Sequence, residues 1–185
     1  MFIQTQDTPN PATLKFIPGV PVMESGTADY PAADSAKSSP LATRIFQIDG
    51  ITGVFLGSDF VAVTKAEELD WFSLKPSILA GIMEHFASGL PVVESMRQDD
   101  GHSEVVTDSE TVQQIKQLLD TRVRPAVAMD GGDITFCSFE SGIVTLQMKG
   151  ACAGCPSSTA TLKMGIENML RHYIPEVTEV RAAEL

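Results

Sequence analysis

The short run Gly150-Ala-Cys152-Ala-Gly-Cys155-Pro156 carries the residues of this chain that are best suited to chemistry. It holds two of the three cysteines, three positions apart, where the residue pattern changes from strand to helix. Pro156 suits the first position of a helix, because its fixed φ and missing N–H cost nothing there. We therefore place Cys155 at the N-cap and Cys152 one turn earlier, in the loop.

This placement favours reactive thiolates. Both sulfurs would lie near the unpaired N–H groups and the positive dipole end of the helix, which lowers the pKa of a thiol. Thiolates bind soft metals and attack disulfides. The cysteine pair therefore predicts either a metal site or a redox couple.

The number of cysteines bears on a metal site. Tetrahedral zinc and iron–sulfur clusters usually take four protein ligands, and one chain offers two at the motif. Cys137 lies in a stretch, 134–139, that alternates like a strand, and we expect it to be a small, buried or half-buried hydrophobe. Two copies related by a two-fold axis would supply four thiolates at a surface-near subunit interface. Such a site suits an ion or cluster that is meant to leave.

Composition argues against several classes of partner. The net charge is −11, so we expect neither nucleic acid nor an anionic membrane as a partner. No apolar run approaches the roughly 20 residues of a membrane-spanning helix. The first residues carry no basic segment, so no signal or transit peptide is predicted. Three cysteines with one close pair fit a reducing compartment.

The pattern predicts the α+β fold class, with two small two-layer domains at 1–88 and 108–185. Between them, residues 89–107 lose all periodicity and are rich in acids, which indicates a flexible acidic linker. The elements predicted for the first domain are strands at 2–5 and 13–17, a segment over 18–39 that is mostly loop, a short helix capped by Ser39 with Pro40 at its first position, a hairpin of 50–56 with 60–64, and a helix at 74–88.

The second domain is predicted to run helix, strand, strand, helix, strand. Its first helix starts at the capping box Thr107-x-x-Glu110 and ends by Arg124-Pro125. A hairpin ending near Met148 precedes the cysteine loop. The next helix runs from 156 to about 173 with Tyr173 facing inward, and the last strand covers 177–181.

Other candidate site residues give weaker signals. Asp130 and Asp133 flank a Gly-Gly pair, and two carboxylates fall well short of the six or more oxygens that calcium takes. We interpret that run as a tight turn. His85, His102 and His172 fall in separate segments and do not predict a histidine cluster.

At this point the motifs resemble a known family. GACAGCPSSTATLKMGIENML, preceded by RPAVAMDGGDI, resembles the C-terminal NifU-like domain of the Nfu iron–sulfur scaffold and carrier proteins. Two further segments resemble the N-terminal Nfu domain, namely MFIQTQDTPNPATLKFIPG and SSPLATRIFQIDGITGVFLGSDFVAVTK. The resemblance implies that Cys152 and Cys155 are cluster ligands. It also implies that a four-iron four-sulfur (4Fe-4S) cluster bridges the two subunits of a homodimer and passes to apo-enzymes.

The resemblance has further implications. The protein would be a carrier and no enzyme, loaded by an upstream cluster donor, and its N-terminal domain would recognise target proteins. The missing presequence suggests a bacterial cytoplasmic protein, with a processed form in the mitochondrial matrix as the alternative.

Two other functions compete with the carrier. A Cys-x-x-Cys at a helix N-terminus also serves thiol–disulfide exchange, but here it follows a hairpin and lacks the βαβ context of thioredoxin-like proteins. A structural zinc site shared by two subunits would give no role to the N-terminal domain and the linker. Iron and acid-labile sulfide in the purified protein would distinguish a cluster from both.

Overall fold

The computed structural model describes residues 1–94, 109–153 and 156–183, with backbone alone at 156–158. Thr107, His102 and Cys155 lie outside the described residues. The chain divides into two compact units, each with helices and one sheet. The predicted α+β class with two domains is therefore confirmed. No helix in the described part is long and apolar enough to cross a membrane.

The first unit is a five-stranded antiparallel sheet with helices packed on one face. Its elements are β1 Gln4–Asp7, β2 Thr13–Ile17, β3 Ala28–Tyr30, α1 Pro40–Phe46, β4 Ile51–Leu56, β5 Val61–Lys65 and α2 Trp71–Ser88. The strand order is β1-β2-β5-β4-β3. Alternate strand residues such as Phe16 and Val63 form the core with Ile45 of α1 and Ile78 of α2.

Local signals in this unit set several element ends. The Ser39 hydroxyl caps α1 by accepting the Ala42 N–H at 3.0 Å, as predicted. Gly89 ends α2 with a φ of +69°. Helix α2 begins three residues before the predicted start, because the Asp70 carboxylate caps it.

The segment 18–39 is mostly loop, as predicted, but it contains two short elements that the sequence did not reveal. Strand β3 lies there, followed by a short 3-10 helix, Ala33–Ser38. Three residues are too few to show an alternating pattern. Pairing with β4, in which Tyr30 lies opposite Val54, makes this segment a strand.

Residues 92–94, which we assigned to the linker, contact the first unit. The Ser39 hydroxyl donates to the Val92 carbonyl at 2.6 Å. The Glu94 N–H donates to the Ser38 carbonyl at 2.7 Å. The first unit therefore continues beyond α2. Residues 95–107 of the expected linker lie outside the described part.

The second unit is a three-stranded sheet with helices. Its elements are α3 Glu110–Leu118, a π-helical turn Leu119–Val123, α4 Arg124–Met129, β6 Gly132–Glu140, β7 Ile143–Gly150, α5 Pro156–Tyr173 and β8 Glu179–Ala182. The order is β6-β7-β8, with β7 antiparallel to β6 and parallel to β8. Parallel neighbours need a crossover, and α5 supplies it. The cysteine loop therefore lies between the end of β7 and the start of α5.

Two helical predictions for this unit are wrong. The first helix does not end at Arg124-Pro125 but passes through the π-helical turn into α4. Pro125 lies in the first turn of α4, where its missing N–H is tolerated. Tyr173 is 47% exposed, and Ile174, at 1%, faces the core in its place. Helix α3 begins at Glu110 with Ser109 as its cap.

Cys137 is exposed, which contradicts the expected buried or half-buried position. The register of β6 against β7 shifts between Phe136 and Ser138, which pair with consecutive residues of β7. Cys137 is the extra residue of this β-bulge. The bulge lets Phe136 and Phe139 both contact the core and leaves Cys137 outside it.

Candidate metal centre

Cys152 lies in the loop that follows β7, and it is buried. Its exposed fraction is 7%, and it belongs to the same core cluster as Met148 and Ile166. From the sequence we expect both sulfurs at a site near the surface. In the free chain the Cys152 sulfur is buried instead, because the loop folds back onto the sheet.

Gly132 makes room for the Cys152 sulfur. A Cβ built on Gly132 would lie 2.5 Å from Cys152 Sγ and 2.8 Å from the Lys149 carbonyl oxygen. Beside it, the Ala151 N–H donates to the Gly131 carbonyl at 3.1 Å. Gly131 and Gly132, which we interpreted as a turn, therefore also provide the surface against which the cysteine loop packs. Only Gly131 of the pair has a positive φ, so the turn alone does not account for a glycine at position 132.

The loop is also tied to α5. The Thr159 hydroxyl donates to the Cys152 carbonyl at 2.9 Å. The Ala153 N–H donates to the Gly150 carbonyl at 3.0 Å and closes a turn around the cysteine. The position of Cys152 is thus fixed from the β6 side and from the helix side.

The electrostatic environment opposes the Cys152 thiolate in the free chain. Burial raises the pKa of the Cys152 thiol to about 12, and the carboxylates of Asp130 and Asp133 contribute in the same direction. The expected lowering of this pKa by the helix N-terminus is therefore wrong for Cys152. Burial removes the hydration that a thiolate needs, which favours the neutral thiol.

Asp133 forms an ion pair with Arg124, a partner that the sequence did not reveal. Its side chain is 5% exposed and lies against Arg124, with Nε–Oδ1 and Nη2–Oδ2 distances of 2.9 Å each. Asp133 Oδ1 also accepts the Ile134 N–H at 2.8 Å. This bidentate pair supports the interpretation of the Asp-Gly-Gly-Asp run as structural. The two residues are nine positions apart, a spacing with no local pattern to reveal it.

The described residues place Cys152 but not the second predicted ligand, Cys155. Cys137 is not brought to Cys152, because five strand residues from Gly132 to Cys137 span about 16 Å. Within 1–94, 109–153 and 156–183, no three His, Cys, Asp or Glu side chains form a group that could hold a metal ion.

Comparison with known proteins shows what the chain is similar to. NifU-like protein 4, mitochondrial, of Arabidopsis thaliana is 56% identical over 97% of this chain. The NFU1 iron-sulfur cluster scaffold homolog, mitochondrial, of Drosophila persimilis is 52% identical over 97%. The chain spans 65% and 64% of the lengths of these two relatives. The solution structure of a NifU-like protein from Saccharomyces cerevisiae is 28% identical and covers 51% of this chain and 86% of its own, with a TM-score of 0.47.

The expectation of a bacterial cytoplasmic protein is wrong. Both relatives are mitochondrial proteins, so the comparison points to the mitochondrion. The missing presequence carries no weight, since the chain covers only about two thirds of these relatives.

Family models match both parts of the chain. Residues 3–89 match the model described as scaffold protein Nfu/NifU N terminal. Residues 115–181 match the NifU-like domain. The two matches cover both compact units, and the chain belongs to the Nfu/NifU-like family.

Proposed function

We propose that this chain is a non-enzymatic scaffold and carrier for iron–sulfur clusters. In this proposal it holds a four-iron four-sulfur cluster between two copies through Cys152 and Cys155, and it delivers the cluster to apo-enzymes. The observation that carries the proposal is the cysteine pair at the start of α5 in a chain of this family. The name of the Drosophila relative, an iron-sulfur cluster scaffold homolog, agrees with it.

The donor set supports a shared cluster. Thiolates are the usual protein ligands of such clusters, commonly four of them. One chain brings two at the motif, and its third cysteine lies on the bulge of β6. A second copy with the same motif completes the set.

The burial of Cys152 implies that binding moves its loop. To reach iron, the sulfur must leave its buried position against Gly132. Only the deprotonated thiol is a ligand, so binding releases the thiol proton. The hydrogen bond from the Thr159 hydroxyl to the Cys152 carbonyl links the loop to α5.

The cluster is cargo in this proposal, and the way it is held favours release. When the two copies separate, each retains half of the ligand set. A helix N-terminus at the surface stabilises a negative charge by only about 0.3–1 kcal/mol. An acceptor with three or four preorganised cysteines can therefore take the cluster.

We assign different tasks to the two units. The second unit contains the cysteine loop and a complete core, so it binds the cluster. The first unit has a separate core and no cysteine, and we assign it the recognition of recipient enzymes or of the upstream donor.

Cysteine variants of the full chain test the ligand assignment. Each variant is incubated without oxygen with ferrous iron and sulfide, and iron, acid-labile sulfide and molecular mass are measured. We expect Cys152→Ser and Cys155→Ser to lose stable cluster binding and to remain folded. The control Cys137→Ala should bind as the wild type does. Loss of the cluster in the control, or bound zinc without sulfide in the wild type, would refute the assignment.

A transfer assay tests delivery. Loaded protein mixed with an apo four-iron enzyme should restore its activity faster than free iron and sulfide do, and a strong chelator should not block this. Activation that the chelator abolishes would exclude direct transfer and favour storage or a redox role.

A further inference from the structure

The outward face of α5 carries no charge over the part nearest the cysteine loop. Its exposed residues there are Ala160, Thr161, Met164, Gly165 and Asn168, which we call the uncharged α5 face. The next exposed positions along the helix are Arg171 and His172. A helix face that only meets water normally carries a mixture of charged and polar residues. Met164 is nevertheless 66% exposed.

Gly165 at the centre of this face is not explained by the fold. Its φ is not among the positive values found in the chain, and a Cβ there would meet no atom within 4 Å. A glycine inside a helix lowers the stability of the helix relative to alanine. No contact of Gly165 within the described chain offsets this loss. Gly132 differs, since its missing Cβ makes room for Cys152. A glycine of the Gly165 kind permits close approach of another backbone.

We propose that the uncharged α5 face packs against the same face of a second copy. This inference rests on the proposed function, in which one chain is two thiolates short and a second copy must approach the start of α5. A two-fold axis parallel to α5 places both helix N-termini at one end, so that the two cysteine loops meet there. Antiparallel helices in full overlap would separate the loops by about 27 Å.

The size of the face fits a conditional dimer. Five small or medium side chains bury far less than the roughly 1,200 Å² of a stable interface. The face therefore orients two copies without holding them together on its own. We expect the chain without cargo to self-associate only weakly, at high concentration, and the loaded chain to be a dimer.

A charge placed on the face tests the packing. In a two-fold contact, Met164→Glu sets two negative charges opposite each other. The control Gln114→Glu adds the same charge at an exposed position of α3, in the same unit but outside the face. Full-length proteins are incubated with ferrous iron and sulfide, and mass and iron content are measured by sedimentation and assay. We expect the wild type and the control to be dimers, and the dimer of Met164→Glu to be at least tenfold weaker.

A charge reversal separates lost packing from general damage. Met164→Lys alone should also weaken the dimer, and an equal mixture of the Glu and Lys variants should restore it. Wild-type dimerisation by Met164→Glu, or a mixture that is not restored, would overturn the proposed face.

A cargo-free experiment keeps this test independent of the cluster. Raising the concentration of the free chain should shift the amide signals of 160–168 first, and Met164→Glu should abolish these shifts. If the wild type does not bind a cluster, the proposed function fails. The concentration dependence of the amide signals still tests whether the uncharged α5 face self-associates. Signals on α5 that do not change with concentration would overturn it.

Discussion

The Cys152 sulfur occupies space that only a glycine at position 132 leaves open. A Cβ on Gly132 would lie 2.5 Å from Sγ and 3.1 Å from the Cys152 nitrogen. The burial of the cysteine therefore depends on the absence of one carbon atom on a different strand.

Gly132→Ala should displace the cysteine loop. Overpacking of this kind costs about 1–3 kcal/mol, and the Cys152 thiol should become more exposed. Urea unfolding gives the stability, and peptide mapping after alkylation gives the modification of Cys152 relative to the exposed Cys137. The control Gly165→Ala, with open space at the Cβ position, should not lower stability. An alanine at 132 with wild-type stability and alkylation would show that the loop adapts without cost.

Arg124→Gln should destabilise the second unit. The buried Asp133 carboxylate loses two hydrogen bonds to a charged donor, and such bonds contribute about 1.5–3 kcal/mol. The control Arg181→Gln removes an exposed partner of Glu179 and should change stability little. The expectation fails if the two variants unfold at the same urea concentration.

The stability of the first unit should fall as the pH drops below about 6.5, because His85 is buried. Its ring is 0% exposed, and both ring nitrogens lack a hydrogen-bond partner in the described part. Burial lowers the pKa of His85, and the charge of Arg44, which is itself paired with Glu84, adds to this, while the backbone of Leu90 acts in the opposite direction without reversing the shift. The unfolded chain then takes up the proton first, so stability declines from the ordinary histidine pKa towards the lower folded one.

Urea unfolding at several pH values checks the histidine. Trp71, the only tryptophan, reports on this unit by fluorescence. We expect His85→Leu to flatten the decline, because it removes the titrating group. His172→Leu, which changes an exposed histidine of the other unit, should leave the decline as in the wild type. A wild-type slope in His85→Leu would assign the effect to another group.

Ser39→Ala should cost more than the loss of a helix cap. The fully buried Ser39 hydroxyl accepts from Ala42 and also donates to the Val92 carbonyl. Loss of both bonds should lower the free energy of unfolding by about 1–3 kcal/mol. Asp70→Ala removes the cap at the start of α2, where the exposed carboxylate accepts from the N–H and the hydroxyl of Ser73, and should cost about 1 kcal/mol. Equal losses in the two variants would mean that the bond to Val92 contributes nothing.

Sequence-based prediction succeeded where the cause was local. Both ends of α5 agree with the prediction, because Pro156 and Pro175 mark them. The hairpin of β4 and β5 follows from alternating residues around a turn. The cap of α1 follows from the pair Ser39-Pro40.

Prediction failed where distant residues decide. Strand β3 exists through its pairing with β4. The exposure of Cys137 comes from a bulge that is defined only by the register with β7. The burial of Cys152 depends on Gly132, and the anchoring of Asp133 depends on Arg124. At the candidate site, the motif was visible in the sequence, whereas the surroundings that control the sulfur were not.

The parallel pairing of β7 with β8 also affects the order in which the core is completed during synthesis. Val180 of β8 belongs to the core that encloses Cys152, yet it is synthesised twenty-eight residues later. At about 5–20 residues per second, this delay is about 1–6 seconds. During those seconds the growing chain already contains the thiol but not the strand that completes its enclosure. The core around Cys152 is thus complete only after β8, near the end of the chain, has been made.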